Sequence, residues 1–411
     1  MHVFVSDLHM TDTGRGGAVS DEQLSEFAAS LGDLAERKKQ KIKLVFAGDI
    51  FDLLRSPKWA TLWDSGKGAP WSGTSEKFTH FKNGYPESQA LEIAQSIATR
   101  YSGFSTQLHG MVKSGRIETV YLPGNHDYMF QLSAELRTVL VSYLALVHDP
   151  AREFEISYRD RDASVFAVHG NSFDPVNWHR REDGYWALGD AVVLRVVNQF
   201  PVEVAKELGI SGKTEIGQIV EDIDNVEPLA DIPLFVLWLT EKNLSIKSAR
   251  RKVLKVWKRV VEEFLALDDF TDAKAYGDKA YQLVRYGFEL STKMGLADLV
   301  AALSKKFPNV GTNYRAAAEV EARRQAQCRV VLFGHTHKPM LEPLTFAPEG
   351  KNSYYVNTGC WRRLVARSYG EPISFAGRRV ATYFVVDDRT KDREDSEPRE
   401  RYHLYQQWHA S

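Results

Sequence analysis

Cysteine is scarce in this chain. Two thiols, Cys328 and Cys360, in 411 residues cannot build a disulfide framework, and such scarcity fits a reducing compartment. Net charge is nearly absent too. The 53 Lys and Arg stand against 54 Asp and Glu, a balance of −1, so no whole-molecule field attracts nucleic acid or anionic lipid. Long apolar runs are also missing. The longest, residues 232–239, contains Pro233 and falls far short of the roughly 20 residues that a membrane span needs. The opening residues Met1-His2-Val3-Phe4-Val5-Ser6-Asp7 show no basic segment followed by an apolar one. No secretory leader or transmembrane segment is therefore expected, and a cytoplasmic protein is. What remains is ordinary: 43% hydrophobic and 26% charged residues exclude a disordered, collagen-like or small disulfide-stapled chain.

Short β-branched and aromatic runs at 3–6, 42–47, 119–122, 164–168, 330–333, 354–356 and 380–386 predict buried strands, with 153–158 pairing to 164–168. Helical periodicity fills 20–39, opened by Ser20 with Gln23 three residues on, and 87–113. This alternation predicts an α/β core. Residues 175–327 differ, with repeated 3.6-residue periodicity at 186–208, 214–226, 246–267, 273–288 and 314–327 and no strand. The chain therefore divides into a core over 1–174, a helical insertion or cap over 175–327, a second core part over 328–390 and a charged tail over 391–411. A smaller insertion, 56–86, is rich in Gly, Pro and Ser and carries Trp59, Trp63 and Trp71. These tryptophans suit either stacking on a base or sugar, or burial.

Five short segments carry the chemistry, each after a predicted strand. They are Asp7-Leu8-His9, Gly48-Asp49-Ile50-Phe51-Asp52, Gly124-Asn125-His126-Asp127, His169-Gly170 and Gly334-His335-Thr336-His337. Their side chains are hard or borderline nitrogen and oxygen donors without a thiolate, a set that suits Mn, Fe, Zn, Co or Ni. In an extended segment, residues i and i+2 project to one side, so Asp7 with His9, and His335 with His337, can face one centre. Neighbouring glycines allow sharp turns beside the ligands.

These segments, in this order, resemble the calcineurin-like metallophosphoesterase superfamily over residues 1–174 and about 329–387. The sequences from Gly48 to Leu54, from His169 to Asp174 and from Tyr355 to Trp361 are similar to the UDP-2,3-diacylglucosamine pyrophosphatase branch, although this cap is far longer and His126 stands where that branch often has Arg. The resemblance implies a four-layer α/β/β/α sandwich of the metallo-dependent phosphatase type, interrupted by the helical insertion. It implies two divalent transition-metal ions, Mn foremost. Asp7, His9 and His337 would bind one, Asn125, His169 and His335 the other, and Asp49 would bridge them. The implied activity is hydrolysis of a phosphodiester, pyrophosphate or phosphomonoester by a metal-bridging hydroxide. His126 would serve the leaving oxygen and Asp52 would orient His126, while Asp127 fixes a loop.

Other features stay open between two readings. His179, Arg180 and Arg181 at the start of the cap suit phosphate contacts, or begin a solvated helix. Residues 242–259 carry eight Lys or Arg and no Asp or Glu, beside an apolar stripe of Val253, Val256, Trp257, Val260 and Val261. That face could meet nucleic acid or anionic lipid, or simply be solvated. The leading expectation is a metal-dependent phosphoesterase acting on a phosphorylated small-molecule or nucleotide-like substrate. A metal-dependent nuclease and a non-enzymatic scaffold are the alternatives.

Overall fold

A computed structural model describes residues 1–13, 17–60, 86–178, 187–266, 279–307, 313–325, 328–346, 352–368, 372–387 and 402–409. Within them the chain is mixed α/β, with two mixed sheets. In the first sheet β1 (His2–Val5), β2 (Ile42–Ala47) and β3 (Ile117–Leu122) are parallel neighbours. β10 (Phe375–Val386) lies antiparallel beside β1 and pairs with both β9 (Cys360–Arg367) and β11 (Tyr402–His409). The second sheet has parallel β5 (Val165–Val168), β6 (Val330–Phe333) and β8 (Tyr354–Asn357). Antiparallel β4 (Ser157–Asp160) and β7 (Met340–Pro343) form its edges.

Strand alternation decides what each face touches. Phe4, Val45, Ala47 and Leu122 of the first sheet share one buried cluster with Val165, Val330, Leu332 and Val356 of the second. The opposite face of the first sheet, through Val3, Val5, Leu44 and Phe46, packs with Leu24 and Leu31 of helix Asp21–Lys38, Ile93 of Glu87–Arg100 and Phe104 of Ser102–Lys113. Ser20 caps the first of these helices through the reciprocal bonds expected with Gln23. The stretch 87–113 is two helices, not one. Tyr101 leaves the helical region at φ −107°, ψ 35°, buries its ring and donates from its hydroxyl to the Val19 carbonyl at 2.9 Å.

Inside the insertion, Lys247–Leu265 buries the stripe read from the sequence. Val253, Trp257 and Val260 pack with Phe200, Val236 and Phe288 from neighbouring helices, and Trp257 Nε1 donates to Ser291 Oγ at 3.0 Å. Two boundaries shift. Helix Tyr314–Arg324, grouped by sequence with the insertion, places its small Ala318 and Ala322 against Phe166, Val331 and Phe333 of the second sheet. The chain end, read as a charged tail, returns as β11, paired from Tyr402 opposite Val386 to His409 opposite Arg379. Tyr402 and Leu404 give it an apolar face for the cluster between the sheets. Trp59 is fully buried and donates to the Leu53 carbonyl at 2.7 Å, which places it in the core. Trp63, Trp71 and residues 391–401 lie outside the described residues. No described helix is long and apolar enough to cross a membrane.

Candidate metal centre

The five segments all follow strands, three after β1, β2 and β3 of one sheet and two after β5 and β6 of the other. Their backbone is unusual. Among the described residues, eight non-glycine residues have positive φ, and five are Asp7 (51°), His9 (46°), Asp49 (55°), His335 (67°) and His337 (57°). Side chains rarely adopt this region, and strain of this kind concentrates at functional sites. Two glycines permit the convergence. Gly48 sits at φ 90°, and a Cβ there would run into the His169 ring. A Cβ on Gly124 would strike the Asp49 carboxylate.

All seven residues expected to ligate come together, buried, in two sets about Asp49. On one side His9 Nε2 lies 3.0 Å from His337 Nε2, and His337 Nε2 lies 3.3 Å from Asp7 Oδ1. On the other, Asn125 Oδ1 is 3.1 Å from His169 Nε2 and 3.0 Å from His335 Nδ1. Asp49 Oδ1 accepts from the His126 amide at 2.8 Å. Its Oδ2 points between the sets, 3.2 Å from His169 Nε2 and 3.8 Å from His9 Nε2, yet accepts no hydrogen bond from either. A fully buried carboxylate oxygen without a well-aligned hydrogen bond is costly unless a cation serves it, and in the metal-free protein the His169 imidazolium at 3.2 Å is that cation, in a place a bound metal could take. With nitrogen lone pairs converging beside it, the donors fit a transition metal. Asp7, His9, Asp49 and His337 each place a ligand atom within 4.8 Å of the others, a group that could hold a metal ion.

The supporting bonds fix ring orientation. His169 Nδ1 donates to the Ala47 carbonyl at 2.9 Å, which leaves Nε2 for the centre. His335 Nε2 meets Asp174 Oδ2 at 3.0 Å, which leaves its Nδ1. Asp52 holds two rings, His9 Nδ1 at 2.7 Å and His126 Nδ1 at 2.8 Å. Asp127 accepts from the amides of Ile50 at 2.8 Å and Gly124 at 2.7 Å, and so ties two of the loops together.

Burial raises every carboxyl pKa here, and at Asp127 it prevails with the Asp49 charge, pushing that carboxyl up to about 7, whereas beside the imidazoles it is outweighed. Asp52, beside His126 and His9, and Asp49, beside His169 and His126, lie well below the ordinary range. Burial pushes His9 down to about 4, the neutral form that ligates. His169 is also buried, but Asp49 and Asp7 lift it to about 10. For His126, burial is overcome by the Asp52 and Asp49 carboxylates, and its pKa is raised.

Several residues at this site are not apparent from the sequence. Arg55 Nε lies 3.1 Å from Asp52 Oδ2, and Arg55 Nη1 donates to Asp224 Oδ1 in the insertion at 2.7 Å. Arg362 Nη2 donates to Asp224 Oδ2 at 3.0 Å and to Asn225 Oδ1 at 2.7 Å, with Nη1 3.6 Å from Asp52. The pairs to Asp224 and Asn225 join residues more than 130 positions apart, so only folding reveals them. A cavity of about 740 Å³ opens over the centre, lined by Asp49, Asn125 and His126 on one side and Leu229, Ala230 and Leu283 of the insertion on the other. His179, Arg180 and Arg181 fall outside the described residues. Outside the five segments, His109 and His148 bond backbone carbonyls and His2 pairs with Asp160. No protein-family model matches the chain, and no curated protein matches it.

Proposed function

We propose that this chain is a dinuclear metal-dependent phosphoester hydrolase of the calcineurin-like type. In this reading the two sheets and their flanking helices are the four layers of the α/β/β/α sandwich, and the insertion is a substrate-selecting cap. One observation carries the proposal: two three-residue ligand sets flank a single carboxylate whose inner oxygen lacks a hydrogen bond, with a carboxylate-held histidine alongside. Asp7, His9 and His337 would hold one ion, Asn125, His169 and His335 the other, and Asp49 would touch both. When bound, such ions neutralise phosphoryl charge and activate water. His126 donates to the leaving oxygen, and Asp52 holds its Nδ1 so that Nε2 carries the transferable proton.

The test is metal analysis paired with hydrolysis of bis(p-nitrophenyl) phosphate. About two transition-metal ions per chain are expected, with activity lost to chelation and restored by Mn²⁺. A protein that takes up no transition metal under any loading condition rules the reading out. The nuclease reading retains one observation, the exposed Lys247, Arg251 and Lys255 on helix Lys247–Leu265. Faster turnover of single-stranded DNA or RNA than of the aryl diester would favour it.

A further inference from the structure

Cys360 opens β9 and is buried, 2% exposed. The other cysteine, Cys328, lies elsewhere, in the cluster beneath helix Tyr314–Arg324. Cys360 Sγ, one ring nitrogen of His9 and one of His337 all fall within 4.8 Å of one another. The same two histidines belong to the Asp7 and Asp49 group, so the sulfur stands on that side of the centre. Its position is set from both directions along the chain. Gly359, at φ 71°, turns the chain out of β8, and the next amide, Trp361 N, donates to the Asp7 carbonyl at 3.0 Å. The Trp361 ring is anchored in turn, its Nε1 donating to the Thr382 carbonyl at 2.8 Å. The residue carrying the sulfur is thus fastened to the loop that carries Asp7.

We propose that the Cys360 thiolate is an additional ligand to the ion on the Asp7, His9 and His337 side, which adds one soft donor to a nitrogen and oxygen set. The proposal rests on the metal-centre reading above. With Asp7, His9, His337 and Asp49 already on that ion, the sulfur is a fifth protein donor, and metal–sulfur and metal–nitrogen bonds of about 2.3 and 2.0 Å at near-right angles set neighbouring donors roughly 3.0 Å apart. The 4.8 Å limit is wider than that by about 1.8 Å, and rotation about the Cys360 and histidine side-chain torsions is the movement that closes it. On binding, the S–H bond breaks, a sulfur–metal bond forms and the proton passes to solvent. A thiolate shifts the preference of this position away from Mn²⁺ and toward Zn²⁺, Co²⁺ or Fe²⁺.

Cobalt reads the ligand set directly. Metal-free full-length protein titrated with Co²⁺ is expected to show visible ligand-field bands together with a near-ultraviolet sulfur-to-cobalt charge-transfer band. Cys360→Ser should lose the charge-transfer band and keep the ligand-field bands, while Cys328→Ser keeps both. Ligand-field bands without charge transfer in the unsubstituted protein, or charge transfer that survives Cys360→Ser, would overturn the proposal and leave the metal centre intact. No cobalt spectrum at all would remove the metal centre itself, and the proposal with it. Should Cys360→Ser fail to fold by circular dichroism, ¹¹³Cd resonance of the unsubstituted protein decides. A thiolate-ligated cadmium supports the assignment, and one with only nitrogen and oxygen ligands refutes it.

Discussion

The strand-end loops and the helical insertion solve opposite problems. The loops give up backbone comfort for convergence: five ligands sit at positive φ, and Gly48 and Gly124 leave space where any side chain would collide. The insertion does the reverse. Among its described residues no non-glycine backbone takes positive φ, its helices are held by an apolar stripe around Trp257, and its cluster contains no metal-ligating side chain. One region spends stability on geometry and the other supplies stability and a wall for the cavity. They meet at Asp224, which lies between Arg55 and Arg362 and so connects the insertion to Asp52. Substitutions that separate geometry from packing should therefore behave very differently in the two regions.

The largest effect should come from Asp49. Its Oδ1 holds the His126 amide and its Oδ2 faces both ligand sets, so Asp49→Ala removes the shared donor. Metal content should fall at both positions and hydrolysis of the aryl diester should drop to background. His9→Ala should chiefly empty one position. If elemental analysis gave the same metal content for Asp49→Ala as for the unsubstituted protein, the two-set arrangement would be wrong.

Next in size is His126→Ala. His126 contacts Asp52 and stands beside the ligands without belonging to either set. The metals should stay, while esters with poor leaving groups lose about 10²–10⁴-fold in rate, the usual contribution of a positioned acid. Activated aryl esters need little protonation and should lose less. Equal losses for both substrate types would remove the acid role.

Asp224→Ala tests the junction. It strips one carboxylate from two arginine side chains that are 4% and 3% exposed. Leaving a buried charge unpaired costs about 3–5 kcal/mol, so denaturant midpoints should fall sharply. Asp224→Asn keeps the acceptor oxygen and should cost less. A drop no larger than that of an exposed ion pair, such as Lys258 with Glu262, would mean that the junction is not structural. The same contacts change how the insertion could be removed. Val193 and Leu194 pack into the core beneath the first sheet, and helix Tyr314–Arg324 covers the second, so an excision has to keep both.

The contrast also explains what the sequence disclosed. Strands β2 and β6 match their predicted bounds because each is a short β-branched run buried on both faces. β7 escaped notice because it is an edge strand with alternating burial that ends in Pro343. β9 did so because it carries Arg362, Arg363 and Arg367, whose charges are met by Asp222, Asp224 and Asp231 only after folding. The candidate ligands were legible as short motifs at strand ends, but not through the extended i, i+2 geometry expected of them, because Asp7, His9, His335 and His337 all sit at positive φ. The junction at Asp224 was not, because no local spacing relates Asp224 to Arg55 or to Arg362. Asp174 lay inside a noted motif, but only the fold shows that it holds the His335 ring. Cys360 entered the sequence reading only as one of two thiols and inside the segment from Tyr355 to Trp361, and β9 is what brings it beside His9 and His337.

The smallest effect concerns protons. Without metal, His169 titrates at about 10, because Asp49 and Asp7 favour its charged form more than burial disfavours it. It is therefore protonated at pH 8, while His9, at about 4, is already neutral. A ligating imidazole must be neutral, so loading metal at pH 8 should expel about one proton from His169 and none from His9. The sign follows from the raised value. Below pH 10 the metal competes with a proton, and apparent affinity on that side should climb by up to tenfold per pH unit, levelling off above it. Calorimetry in buffers of different ionisation enthalpy measures the release. In His169→Ala the release should fall by about one proton and the pH dependence of the remaining affinity should flatten. A release that is unchanged in His169→Ala would show that the proton comes from another group and that the charge assigned to this side of Asp49 is misplaced.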